Sequence, residues 1–226
     1  MKNKYAFHCT VRGYSHIKNG TVCEDYSDSY SDEAGQYYVA AIADGHGDPK
    51  CFRSERGSKF AVEAAVSTLK SFAEEILENE KFQNQFLEDN MYQKNRIRAL
   101  TNEVYYKWED AVLTDFKTDS PAQELLMEQG YPETGLKDEE SLHIYGATII
   151  AALLLPQCLV LIHQGDGRCE VIYNDGTVDQ PVPWDDRCYE ERTTSLCNED
   201  VLTSFRHCVI DFKQKMPIAC YVCSDG

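Results

Sequence analysis

The sequence predicts an α+β protein in which antiparallel sheets stack on one another and helices lie on the outside. Three observations carry this. Runs of strand length open the chain and recur from Ile144 to Cys223. Between them, after Pro49, the apolar period lengthens from two residues to three or four, the period of a helix. Strands grouped on either side of a helical block, instead of alternating with helices, favour α+β over a parallel sheet.

Each element follows from its own residues. Tyr5, Phe7, Cys9 and Val11 share one face of an expected opening strand, Tyr5 to Val11. Arg12 to Gly20 is a turn-rich connection. Val22 to Tyr30 and Gln36 to Ala43 form a strand pair joined by the polar loop Ser31 to Gly35; the second is apolar on both faces and so central in a covered sheet. Phe60, Ala61, Ala64, Ala65, Thr68, Leu69, Phe72 and Ile76 make the stripe of an amphipathic helix from about Phe52 to Glu78. Ile97, Leu100, Val104, Trp108, Ala111 and Val112 repeat it in a second helix. Lys117 to Leu142 is a polar connector with a short helix at Ala122 to Glu128. Strands return at Ile144–Leu155, Leu159–His163, Cys169–Tyr173, Cys208–Phe212 and Ile218–Cys223, and the short spacings between Leu155 and Tyr173 predict antiparallel hairpins. Pro181 to Asp200 is irregular, and Val201 to Arg206 reads as a short helix.

Length and charge narrow the function. The 226 residues suffice for one domain with a full core, and 42% hydrophobic with 27% charged residues is a globular composition. No apolar stretch is long enough to span a bilayer, and the basic start, Met1 to Tyr5, lacks the apolar run of a signal peptide. A net charge of −16 repels phosphate backbones, so neither nucleic acid nor a membrane is an expected partner. Ten cysteines without a secretion signal predict a reducing, cytoplasmic setting and free thiols in a monomer. Cys220-Tyr-Val-Cys223 has the spacing of a zinc or redox pair, but strand alternation sends its two side chains to opposite faces.

Four Asp-Gly dipeptides punctuate the chain, and three end apolar runs: Asp44-Gly45, Asp166-Gly167 and Asp225-Gly226. Carboxylates delivered by strand ends can converge, and hard divalent cations prefer such oxygen-rich sites. The same dipeptide is also the strongest short hairpin signal. Asn174-Asp175-Gly176 reads as a turn and nothing more, and Asp166 lies in a turn whatever else it does. The others keep suggestive company: Glu24-Asp25 upstream, and His46 inside Asp44-Gly45-His46-Gly47.

Taken in order, Val22-Cys23-Glu24-Asp25, Ala41-Ile42-Ala43-Asp44-Gly45-His46-Gly47, Gly146-Ala147-Thr148, Gln164-Gly165-Asp166-Gly167-Arg168 and Val222-Cys223-Ser224-Asp225-Gly226 resemble the metal-dependent protein phosphatases of type 2C, over nearly the whole chain. The resemblance implies a four-layer sandwich, two antiparallel sheets flanked by helices, with the site at one end. It implies hydrolysis of phosphoserine and phosphothreonine in a phosphorylated protein, using two Mn²⁺ or Mg²⁺ and a weaker third. Carried over by position, Asp44 and the Gly45 carbonyl, Glu24 or Asp25, and Asp225 are ligands, and Asp166 belongs to the weaker cation. Two cations 3.5–4 Å apart can clamp a shared water, lower its pKa and aim it at phosphorus, by the general two-metal scheme at about that spacing. A departing serine or threonine alkoxide needs a proton, and His46, with an ordinary pKa near neutrality, is the expected general acid. His163 and His207 read as packed strand residues, and Ser224 has no base beside it.

Two departures stand out. Where the family commonly places a phosphate-gripping arginine, four residues before the Glu-Asp pair, this chain has Gly20; Arg12, His16 or Lys18 is the candidate substitute. The resemblance also implies further strands and a last aspartate, followed by asparagine, beyond Gly226. On that expectation residues 1–226 are one incomplete phosphatase domain with weakened metal binding. The alternative expectation is an impaired module that binds phosphoproteins or regulates. A purely acidic interaction module, with every Asp-Gly a hairpin, is a third.

Overall fold

The computed structural model describes residues 4–132, 136–190 and 192–225. In chain order the elements are α1 (Tyr14–Asn19), β1 (Tyr26–Ser31), β2 (Tyr38–Ala43), α2 (Ser54–Glu78), α3 (Glu80–Glu88), α4 (Asn90–Thr118), α5 (Gln123–Glu128), α6 (Asp138–Ile144), β3 (Ile149–Leu154), β4 (Cys158–Gln164), β5 (Arg168–Tyr173), β6 (Val178–Asp179), α7 (Val201–Ser204), β7 (Arg206–Asp211) and β8 (Pro217–Cys223). One sheet has the order β1-β2-β3-β4-β7 and the other β6-β5-β8, every described pairing antiparallel.

The pattern of side chains explains the layers. Val39, Ala41, Ile149, Ala151, Leu153, Val160 and Ile162 face α2 and α4 in the larger core, which Leu69, Phe72 and Trp108 fill from the helix side. The other face of β3 and β4 offers Ala152, Leu159 and Leu161 to Cys169, Val171 and Tyr173 of β5. β3 and β4 are thus apolar on both faces because both faces are covered. Trp108 is fully buried, its indole N–H donating to the Gly57 carbonyl at 3.1 Å. Burying one such side chain contributes roughly 1.5–3 kcal/mol.

The structure revises several expectations. Residues 5–11 form no strand ladder. Their even-numbered members reach β1 through side chains: the Ala6 amide donates to Ser31, and His8 and Thr10 meet Ser29 and Ser27. The apolar stripe Tyr5, Phe7 and Val11 faces solvent. The connection before β1 contains α1, closed by Gly20 in a left-handed conformation, φ 74°. Between the two expected helices lies a third, α3, because Asn79 and Asp89 each turn a side-chain oxygen onto the first free amides of the helix that follows, at 3.0 Å to Lys81 and 2.9 Å to Met91. The connector after α4 holds α6 as well as α5. β3 and β4 pair as expected, but β4 and β5 do not: Gly165 to Gly167 carries the chain from one sheet to the other. No helix among the described residues is long and apolar enough to cross a membrane. The ten cysteines are free.

Candidate metal centre

Register places the acidic motifs at one end of the sandwich. Tyr26 pairs with Ala43, so Asp25, one residue earlier, stands beside Asp44, one residue later. Ile149 pairs with Gln164, which sets Thr148 beside Gly165. Cys223 pairs with Arg168, so Ser224 and Asp225 leave β8 beside the Asp166 turn. β2 and β3 end or begin at the same level, where Thr148 holds Asp44 twice: its hydroxyl accepts from the Asp44 amide at 3.0 Å and its amide donates to the Asp44 carbonyl at 2.8 Å. Glu24 is fixed by α2: Ser54 donates to its carboxylate at 3.2 Å, Ser58 donates to its carbonyl at 2.5 Å, and that carbonyl also accepts from the Gly45 amide at 3.2 Å.

The electrostatics follow from this crowding. Burial pushes the Asp44 carboxyl up to about 8; a hydrogen bond with Asp225 and the charges of Asp25, Asp225 and Asp166 add to the effect. Burial also raises Asp166, against a hydrogen bond from Thr193, and raises Glu24, against the bond from Ser54 and the nearby His16. Asp25 Oδ1 is buried with no hydrogen-bond partner. Among the described residues no three His, Cys, Asp or Glu side chains stand together so as to hold a metal ion. What the carboxylates share is one end of the fold and one another's field. An orphaned carboxylate oxygen, and a neighbour held protonated at neutral pH by burial and then by other acids, are hard donors short of positive charge. The residues therefore fit Mn²⁺ or Mg²⁺.

His46 lies beside this group, its amide donating to the Gly146 carbonyl at 3.0 Å. A methyl on Gly146 would meet His46 Cδ2 at 2.5 Å, Cys51 Sγ at 3.2 Å and Cys197 Sγ at 3.3 Å, so those three side chains converge on the bare Cα. The expected near-neutral pKa is not what this setting gives. Burial, with a smaller contribution from His143, lowers His46 to about 4, and the imidazole is neutral at pH 7. His163 is likewise buried and lowered to about 3, a packed strand residue. Of the substitute cations, Arg12 and Lys18 are exposed and Arg12 donates to the Thr21 carbonyl at 3.3 Å; His16 is half-buried and close enough for its charge to reach Glu24. The family's arginine position is the left-handed Gly20, where an arginine would be strained.

Some residues of the site carry no sequence signal. Ser54 and Ser58 sit on a helix stripe, and Thr193, Thr194 and Arg206 come from the irregular segment and the strand after it. Their partners are set by folding. Gly226 lies outside the described residues.

The model of the family described as protein phosphatase 2C matches residues 12–226. The chain belongs to that family. Several solved structures are also similar, remote in sequence. The serine/threonine phosphatase Stp1 from Staphylococcus aureus is 14% identical with a TM-score of 0.46; the match covers 85% of this chain and 66% of that one. A stage II sporulation E family protein from Thermanaerovibrio acidaminovorans is 14% identical, TM-score 0.46, with 88% and 80% covered. The catalytic domain of the phosphatase PstP, in complex with two manganese ions, is 13% identical, TM-score 0.42, with 90% and 71% covered. A bacterial serine phosphatase variant is 15% identical with a TM-score of 0.46; the match covers 86% of this chain, which spans 66% of that one's length. No curated protein sequence matches.

Proposed function

We propose that this protein phosphatase 2C member hydrolyses phosphoserine and phosphothreonine in proteins with the help of Mn²⁺ or Mg²⁺. The observation that carries the reading is the meeting of Asp44, just after β2, and Asp225, just after β8, two acids delivered by different sheets to one end of the fold. Asp44, Asp225, the Gly45 carbonyl and the Glu24-Asp25 pair are the residues that would hold two cations, with Asp166 serving a weaker one. When bound, the cations would supply a water of lowered pKa and charge that offsets the phosphoryl oxygens.

The remaining work falls to the chain. Asp44, whose carboxyl burial raises to about 8, would have to release its proton before it could ligate, so loading would be favoured by rising pH. Thr148 and Ser54 hold Asp44 and Glu24 in place and save reorganisation. His46 is the group to protonate the departing alkoxide. Because burial keeps it neutral, it must take a proton as the phosphate dianion arrives, whose charge raises its pKa. His16 is the candidate for steadying that dianion.

Hydrolysis of a small aryl phosphate with and without Mn²⁺, in wild type and Asp44→Asn, tests the reading. Turnover that needs Mn²⁺ and vanishes in the variant supports it. Phosphopeptide binding without turnover would instead fit an impaired binding module, and neither result would leave only an acidic interaction module.

A further inference from the structure

The turn carrying Asp166 is clamped by a network that the reaction scheme above does not use. Arg206, first residue of β7, is 12% exposed at its side chain. Its guanidinium donates to the Gly165 carbonyl and, at 3.0 Å, to the Pro183 carbonyl, and its Nε lies 3.8 Å from the Asp185 carboxylate. Asp185, itself buried, is gripped by Arg187 through 2.9 and 2.7 Å bonds and accepts from the Thr194 hydroxyl at 3.5 Å. That hydroxyl in turn accepts from the Gly165 amide at 3.1 Å. Both backbone polar groups of Gly165, the residue before Asp166, are therefore held from outside the turn. A buried guanidinium with an unpartnered Nε is costly to keep. Its two bonds to carbonyls tie the turn to the segment before β7.

We propose that Arg206, together with Thr194, is a positioning residue for Asp166. It fixes the Gly165 backbone so that the carboxylate points to the common end of the sandwich, and through that carboxylate sets the affinity of the weaker cation site. The inference rests on the metal-centre reading above. Outer partners that orient a ligand typically change metal affinity by roughly 10- to 100-fold when removed.

Mn²⁺ alone is the probe, titrated into the full, chelator-stripped chain and followed by the paramagnetic resonance of free Mn²⁺, which reads binding without turnover. Wild type should show a tight class and a weaker class. Asp166→Asn should lose the weaker class. Arg206→Met and Thr194→Val should weaken it about 10- to 100-fold and leave the tight class unchanged. Added to Asp166→Asn, Arg206→Met should change nothing further, because the two act through one carboxylate. Should Arg206→Met fail to fold by circular dichroism, Thr194→Val, which removes a single hydroxyl, decides alone. The proposal is overturned if the weaker class survives in Asp166→Asn, if both classes weaken alike, or if the two substitutions add. Each of those leaves the metal centre standing. No Mn²⁺ uptake by wild type overturns both readings.

Discussion

Stripped of divalent cations, the protein should become more stable at neutral pH when Asp44 is replaced by asparagine. In the fold Asp44 keeps its proton up to about 8, whereas the unfolded chain releases it near 3.8. Between those values the folded state binds more protons than the unfolded one, so stability is fully present below about pH 4 and is lost as pH rises towards 8. Each pH unit in that window costs about 1.4 kcal/mol, giving about 4 kcal/mol by pH 7. Asparagine cannot ionise, and its amide can still donate to Asp225. For a chain of this size, about 4 kcal/mol corresponds to a shift in Tm on the order of 10 °C. Thermal unfolding in chelator at pH 5 and pH 7.5 reads the effect: the variant should gain about 2 kcal/mol at pH 5 and about 5 kcal/mol at pH 7.5. With saturating Mn²⁺ the order should reverse, since only wild type gains binding energy. A variant no more stable than wild type at pH 7.5 in chelator would refute the reasoning.

Two further outcomes follow. Gly146→Ala places a methyl 2.5 Å from His46 Cδ2; it should lower kcat for aryl phosphate by about tenfold or more, the general acid's usual share being larger, while Mn²⁺ affinity in the resonance titration stays within about twofold. Trp108→Phe removes the donor to the Gly57 carbonyl and leaves a gap in the α2–α4 core; urea unfolding should show a loss of about 2 kcal/mol with no change in Mn²⁺ binding.

The two long helices and most strands were readable because they depend on local periodicity; β2, read as covered on both faces, fully buries only alternate residues, and the doubly covered strands are β3 and β4. The acidic motifs were readable too, as a set in order. Less legible was anything settled by a distant partner. Residues 5–11 alternate like a strand, yet they meet β1 at the hydroxyls of Ser27, Ser29 and Ser31 and not through a backbone ladder. The spacing between β4 and β5 suits a hairpin, but Asp166 sits where the chain changes sheet. α3 was hidden because its boundaries are two capping residues, Asn79 and Asp89, inside a polar stretch.

By itself the sequence determined the alternation of elements, the acidic balance and the identity of the carboxylates, since these depend on residue type and short spacing. Tertiary structure alone decided their chemistry. Ladder register and sheet stacking put Asp44 against Asp225, and burial there raised one carboxyl and lowered the imidazole of His46. A pKa depends on which charges and how much water lie within a few ångströms, and those neighbours come from opposite ends of the chain.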